Sequence, residues 1–407
     1  MKNKIRVSLL AFAFFCSLHV YTQENKRPNG FAIELSLENT DLKRLPIYRN
    51  SITSLHVSGD YIIGGTTANE GLSPFIFTAS LSQKKPVDLK DIGSLVLGQE
   101  SIQSGFGKGK DGLLYCGSMS NSKENNTDGG HLLQISINSN GALKIKDLGI
   151  PVKGEGIFTL VGDTAGTKIY GISYPKGHFF VYDTASGKTK IFDTITPSES
   201  DLTEYKTYDL RPQDYLSRSL IQGNDGKIYG SAPMNKLFSF DPSTETIKIL
   251  DDTLPAVWNR NILGRVDSWA KDKEGILYGG NSGDGQLFTL NPTTDTVKNL
   301  GKPITLNRLK GLSFGRNGKL YGIAGGTPGY AHLFRYDSDF GFYDFGNPKF
   351  TMVAPGIEQG ISWRSFNIET VTSSEDGKYI VMGEGESLSQ IMVLEVPQKE
   401  IAAKDQL

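Results

Sequence analysis

One short phrase recurs along this chain and constrains its fold more than any other feature. It is a glycine, two or three residues, a tyrosine with a glycine just after it, a turn, and then an apolar strand ending in Asp or Asn. It reads GLLYCGS from Gly112, GTKIYGIS from Gly166, GKIYGSA from Gly226, GILYGGN from Gly275 and GKLYGIA from Gly318. Looser copies stand at both ends, DYIIGGT from Asp60 and GKYIVMG from Gly377. The anchors Tyr61, Tyr115, Tyr170, Tyr229, Tyr278 and Tyr321, with Ile380 in the seventh place, recur about every fifty residues, a spacing that predicts four-stranded propeller blades. The fold expected is therefore all-β: a seven-bladed β-propeller of four-stranded antiparallel blades.

Blade four shows the grammar. Residues 219–222 read as an inner strand, Asn224-Asp225-Gly226 as a turn, and 227–232 and 236–241 as the second and third strands. Residues 246–251 then form the outer strand. The seventh copy lacks a fourth strand before the chain runs out. Residues 31–37 (FAIELSL) alternate as a strand ahead of blade one, and they are expected to fill that place and remove an exposed sheet edge. With no linker or shift of composition, residues 23–407 read as one domain.

Residues 1–22 are set apart. Lys2, Lys4 and Arg6 precede an apolar run over residues 7–20, the pattern of a secretory signal peptide and too short for a bilayer span. The expected address is periplasmic or secreted, with no membrane span. Beyond residue 22 only Cys116 remains, which excludes an internal disulfide or a cysteine-rich metal site. A net charge of −1 argues against a general nucleic-acid partner. The expected state is a monomer.

The propeller frame sorts the loops by face. Loops joining second and third strands share a face with loops entering each inner strand, and together they surround the central funnel. The first set holds His131, Tyr174, His178, Tyr330 and His332. The second holds Arg211, Arg218, Trp258, Arg260, Arg265, Arg308, Trp363 and Arg364. His131, His178 and His332 occupy nearly one blade position, where blades four and five carry Lys236 and Gln286. A repeated structural role for the imidazoles is one reading of that slot. The other is a funnel for an anionic, ring-shaped ligand. Imidazole, phenol and guanidinium together suit elimination across a uronic acid: arginine neutralises the carboxylate, a His or Tyr takes the adjacent proton, and another protonates the leaving oxygen. Hydrolysis would more usually need two flanking carboxylates. Glu70, Glu124 and Asp284 read as scattered surface charges.

With GGHLLQI at His131, YPKGHFFVYD at His178 and GYAHLFRYD at His332, nearly the whole chain after residue 22 resembles exported seven-bladed propeller enzymes that attack uronic-acid glycans. One branch contains the ulvan lyases. A nearer-looking branch acts on L-rhamnose α-1,4-linked to D-glucuronate, at the tips of arabinogalactan side chains, and includes both lyases and α-L-rhamnosidases. The resemblance implies a polysaccharide lyase with His131, His178 and Tyr174 as catalytic candidates. Arg211, Arg218, Arg265, His332 and Trp258 are candidates for holding the substrate. No cofactor is required, although some members carry a calcium ion in the central tunnel. The rhamnosidases are thought to use a lone histidine early in the chain; here blade one offers only His56, at the far end of an inner strand, which favours the lyase. The alternatives are an α-L-rhamnosidase on the same linkage and a non-catalytic glycan-binding propeller.

Overall fold

A computed structural model describes residues 29–36, 45–69, 72–120, 128–257, 262–326, 330–353, 362–386 and 389–398. Seven sheets make the blades; six are four-stranded with their strands antiparallel and in sequence order, and the seventh is a six-stranded sheet that takes in the N-terminal strand. Blade four, for example, consists of Ile221–Gln222, Ile228–Ala232, Lys236–Asp241 and Thr246–Thr253. Its inner strand is two residues shorter than expected and its outer strand two longer. The proposed leader over residues 1–22 lies outside the described residues. Among those described, no helix is long and apolar enough to cross a membrane.

The repeated phrase exists because of one contact. In five blades the glycine after the anchor stands directly opposite a phenylalanine of the third strand: Gly171 faces Phe180 and Gly322 faces Phe334, for example. The ring folds back over the glycine across the ladder. A methyl group at Gly171 would lie 2.3 Å from the Phe180 ring, and one at Gly322 would lie 2.4 Å from Phe334. Blades one, four and five repeat the pair as Gly64–Phe77, Gly230–Phe238 and Gly279–Phe288. These five phenylalanines are fully buried, so in each of these blades the glycine makes room for a whole phenyl ring. The anchor itself covers a second glycine at the inner-strand corner: a methyl at Gly223 would lie 2.9 Å from the Tyr229 ring.

The N-terminal strand Gly30–Glu34 pairs antiparallel with Gln390–Glu395 and completes blade seven. Its other edge is also used. A hairpin of Lys349–Val353 and Ser362–Arg364 joins in parallel through Lys349–Val353, making this sheet six-stranded. The repeat gave no sign of this insertion. Trp363 and Arg364, expected in an entering loop, belong to its second strand. A second departure is a helical insertion between blades three and four, Glu199–Thr207 and Pro212–Tyr215. Ser198 caps the first helix and Asp201 closes the capping box. Buried Tyr205 and Tyr215 face each other at 5.0 Å and dock the insertion on the blade core.

Cys116 lies in the strand Leu114–Gly117, fully buried, and burial pushes its thiol well above the ordinary range. Asp284 departs from expectation: it is 1% exposed and accepts hydrogen bonds from the Val257 and Gln286 backbone N–H groups. It is a buried loop brace, not a surface charge. Glu70 and Glu124 lie outside the described residues.

Gly322→Ala should lower stability by about 2 kcal/mol, because a methyl must displace a packed phenyl ring. Chemical denaturation of wild type and variant measures this.

Candidate functional site

A cavity of about 850 Å³ opens on the face where the inner strands begin. Four arginines line it, Arg211 and Arg218 from the approach to blade four, Arg265 from blade five and Arg308 from blade six. Tyr174, at the end of the second strand of blade three, forms the facing wall with Phe158. Their rings are stacked at 5.7 Å and 22°. The helical insertion brings in Arg211 and Gln213. With the Gln213 amide oriented to satisfy both neighbours, its nitrogen donates to the Tyr174 hydroxyl at 2.9 Å and its oxygen accepts from Arg211 Nε at 2.9 Å. Burial raises the Tyr174 pKa; Arg211 opposes that shift and Asp214 adds to it. The phenol is therefore neutral, and a proton donor, near pH 7.

The floor is an ion network. Glu369, from the inner strand of blade seven, contacts Lys310 of blade six, and Arg218 Nη2 lies 3.5 Å away. Asn367 bridges them, donating to Glu369 at 2.9 Å and accepting from Lys310 at 2.7 Å. Burial alone would raise the Glu369 pKa, but Lys310 and Arg218 outweigh it and hold the carboxyl at about 2. Burial pulls Lys310 down, because one carboxylate only partly offsets its desolvation while Arg308 and Arg218 repel it. The shifts are unequal because Glu369 has two cations and Lys310 has one anion. Arg265 is held by Asp267 at 2.7 Å. Arg308 is exposed at the lip, with φ of 68°. Counting the side chains named here, Arg211, Arg218, Arg265, Arg308 and Lys310 face Asp214, Glu369 and Asp267, five cations to three anions. The cavity thus favours an anion.

Below the floor runs an axial channel of about 290 Å³ lined by inner-strand residues of all seven blades. Its carboxylates, Asp267 and Glu369, are each taken up by a cation, and its other polar side chains are mainly hydroxyls. That donor set does not offer the multi-carboxylate oxygen cage that calcium takes. Among the described residues no three His, Cys, Asp or Glu side chains group as a metal site. His56, further along the blade-one inner strand beside Phe106, is lowered to about 4 by burial and by Lys108.

The three histidines do not line this cavity. His131 Nδ1 lies 2.9 and 3.0 Å from the two oxygens of Asp147, at the end of its own outer strand. His332 does the same with Asp344, at 3.1 and 2.9 Å. Each aspartate also accepts from a glycine N–H two residues on, Gly149 and Gly346. In blade five the same turn is built with Asn299 and Gly301. Those two imidazoles therefore clasp the third strand of a blade to its fourth. His178 is different: its Nδ1 lies 2.9 Å from Glu155, though off the axis of a hydrogen bond. Glu155 sits between the cavity-lining Gly154 and Gly156, is 3% exposed, and accepts from Ser173 Oγ at 2.6 Å.

Of the sequence candidates, then, Tyr174, Arg211, Arg218 and Arg265 converge on one cavity, while His131, His178 and His332 stand behind its wall. Trp258 and Arg260 lie outside the described residues. Glu369, Lys310 and Gln213 were not foreseen. The first two sit in inner strands, where a lone charge between apolar residues was the available signal.

These features define a seven-bladed β-propeller with a cationic, aromatic-walled funnel. No protein-family model matches the chain, and no curated protein matches its sequence. Among solved structures it is similar to virginiamycin B lyase from Staphylococcus aureus, with a TM-score of 0.58 and 11% identity over 91% of this chain and 99% of that one. A catalytically inactive histidine-to-alanine variant of that lyase, with quinupristin, gives 0.58 at 12% identity over 91% and 100%. The RRP9 WD40 repeats give 0.55 at 11% over 86% and 95%. At such identities the likeness shows the fold alone.

Glu369→Gln should cost about 3–5 kcal/mol at neutral pH, since it strands a buried lysine. The native carboxyl titrates at about 2 against an ordinary value of 4.5. Its stabilisation is therefore complete above pH 4.5 and fades as pH falls toward 2. Urea denaturation across that range should show a shallower acid limb in the variant.

Proposed function

We propose that this protein is an exported polysaccharide lyase that cleaves a uronic-acid glycan by β-elimination, with L-rhamnose-α-1,4-D-glucuronate as the favoured linkage. The observation that carries the reading is the convergence of four guanidinium groups and one neutral phenol on a single cavity. In the reaction a base removes the C5 proton of the glucuronate, the C4–O4 bond breaks, and a C4=C5 double bond forms. The leaving oxygen takes a proton and departs as rhamnose. The C5 proton is weakly acidic until the C6 carboxylate is neutralised. Arg218, Arg265 and Arg308 provide that neutralisation, and a bidentate guanidinium also fixes the plane of the carboxylate. Tyr174, protonated and oriented by Gln213, delivers the proton to the leaving oxygen. His178 and His131 are the candidates for the base, and either has to turn toward the cavity from its carboxylate partner.

A specific observation favours a second reading. The imidazoles stand off the cavity and Glu369 is held ionised in a cation cage, so a non-catalytic glycan-binding propeller is consistent with the same funnel.

Incubation with gum arabic oligosaccharides should release rhamnose together with an ultraviolet-absorbing unsaturated uronate. Rhamnose without that chromophore would replace the lyase by an α-L-rhamnosidase, and binding without any product would favour the second reading. Tyr174→Phe should reduce kcat by about 10²–10⁴-fold with little change in KM. Parallel kinetics of His178→Ala and His131→Ala identify the base, because only the base variant should lose elimination while keeping its fold.

A further inference from the structure

We infer that Tyr330 and Phe366 form a second sugar-binding subsite, a stacking platform for a neutral pyranose ring next to the uronate. This rests on the funnel being a glycan site. Tyr330 and Phe366 lie at the junction of blades six and seven, with ring centroids 5.1 Å apart and planes at 32°. They are 50% and 43% exposed. Neither ring is needed to fill the core, and their exposed faces come at a hydration cost that a ligand would relieve.

The pair is rigidly held. The Ala331 N–H donates to the Phe366 carbonyl at 2.9 Å, tying the two blades together. Asn347 Nδ2 donates to the carbonyls of Ala331 and Ser365 from beneath. The platform stands outside the cavity lining and is tied to its floor through the backbone, because Asn367, which follows Phe366, bonds both Lys310 and Glu369. A ring stacked there would lie one chain step from the charge network.

Position around the ring supports the same role. Phe158 and Tyr174 form the aromatic wall at blade three. Tyr330 and Phe366 stand at the junction of blades six and seven, half a turn of the seven-blade ring away. Arg211, Arg218, Arg265 and Arg308 occupy the arc between, in blades four to six. This face therefore carries an anion-binding arc, with one aromatic pair in the cavity wall and a second exposed pair beyond its other end. A uronate held by the arginines with a neutral sugar beside it matches that layout, since aromatic faces take the C–H face of a pyranose and have no use for a carboxylate.

The test is calorimetry in the Tyr174→Phe background, which slows turnover, with two probes: methyl β-D-glucuronoside and a gum arabic oligosaccharide longer than the disaccharide. A Tyr330→Ala/Phe366→Ala double variant should weaken the oligosaccharide by about tenfold and leave the glucuronoside unchanged. Tyr330→Phe and Phe366→Tyr should retain affinity for both. The platform is overturned if the double variant binds the oligosaccharide normally, if it loses both probes equally, or if the protein with the platform intact does not bind the oligosaccharide. Differential binding with no turnover by the wild type would remove the lyase and leave the platform standing. Thermal denaturation of the double variant confirms that it is folded.

Discussion

The blades depend on a glycine that accepts a phenylalanine. In five of the seven, the third-strand ring lies over the second-strand glycine, and the layers between blades pack ring on ring, as Phe179 of blade three does on Phe238 and Phe240 of blade four. That lets adjacent blades approach closely and radiate from a narrow axis. The narrow axis brings seven inner strands together, and with them the few charged side chains those strands carry. Lys310, Asp267 and Glu369 meet there only because the blades pack tightly enough to converge. The chemistry of the funnel floor is thus a consequence of a packing rule that operates well away from it.

The floor and the rim divide the electrostatic work. Glu369 pairs with buried Lys310 and half-buried Arg218 and fixes their positions, while Arg211 and Arg308 stand exposed at the rim. A site made only of free guanidinium groups would repel itself, whereas this one is held together by Glu369 at the cavity floor. The aromatic walls lower the local polarity and strengthen each of those contacts. Tyr174 joins the two features. Its ring belongs to the blade-three wall, and its hydroxyl connects through Gln213 to Arg211.

The blade count, the N-terminal closing strand and the face on which the loops gather were legible because a repeat of fixed period exposes them directly. The same repeat placed Tyr174 and all four cavity arginines, Arg211, Arg218, Arg265 and Arg308, on one face. It was silent where a residue type had two uses. His131, His178 and His332 share one slot, but the slot does not reveal which carboxylate each will meet: Asp147 and Asp344 come from outer strands, Glu155 from an entering loop. Residues that break the period were also hidden. The capped helical insertion between blades three and four carries Arg211 and Gln213 to the site. The hairpin beyond blade seven has no counterpart in the repeat. Lys310 and Glu369 looked like members of apolar strands, and only the three-dimensional axis reveals that they are partners.

The shared seventh blade has an implication for the order in which the molecule can become whole. Gly30–Glu34 comes early in the chain, yet its neighbours on either side, Lys349–Val353 and Gln390–Glu395, come more than three hundred residues later. Throughout synthesis that strand has two unsatisfied edges and no place to dock. Six blades can form one after another from local contacts, but the ring cannot lock until its farthest-separated segments meet. The loop closed by that meeting is nearly the whole protein, so the last step of assembly is also the one that depends least on local sequence.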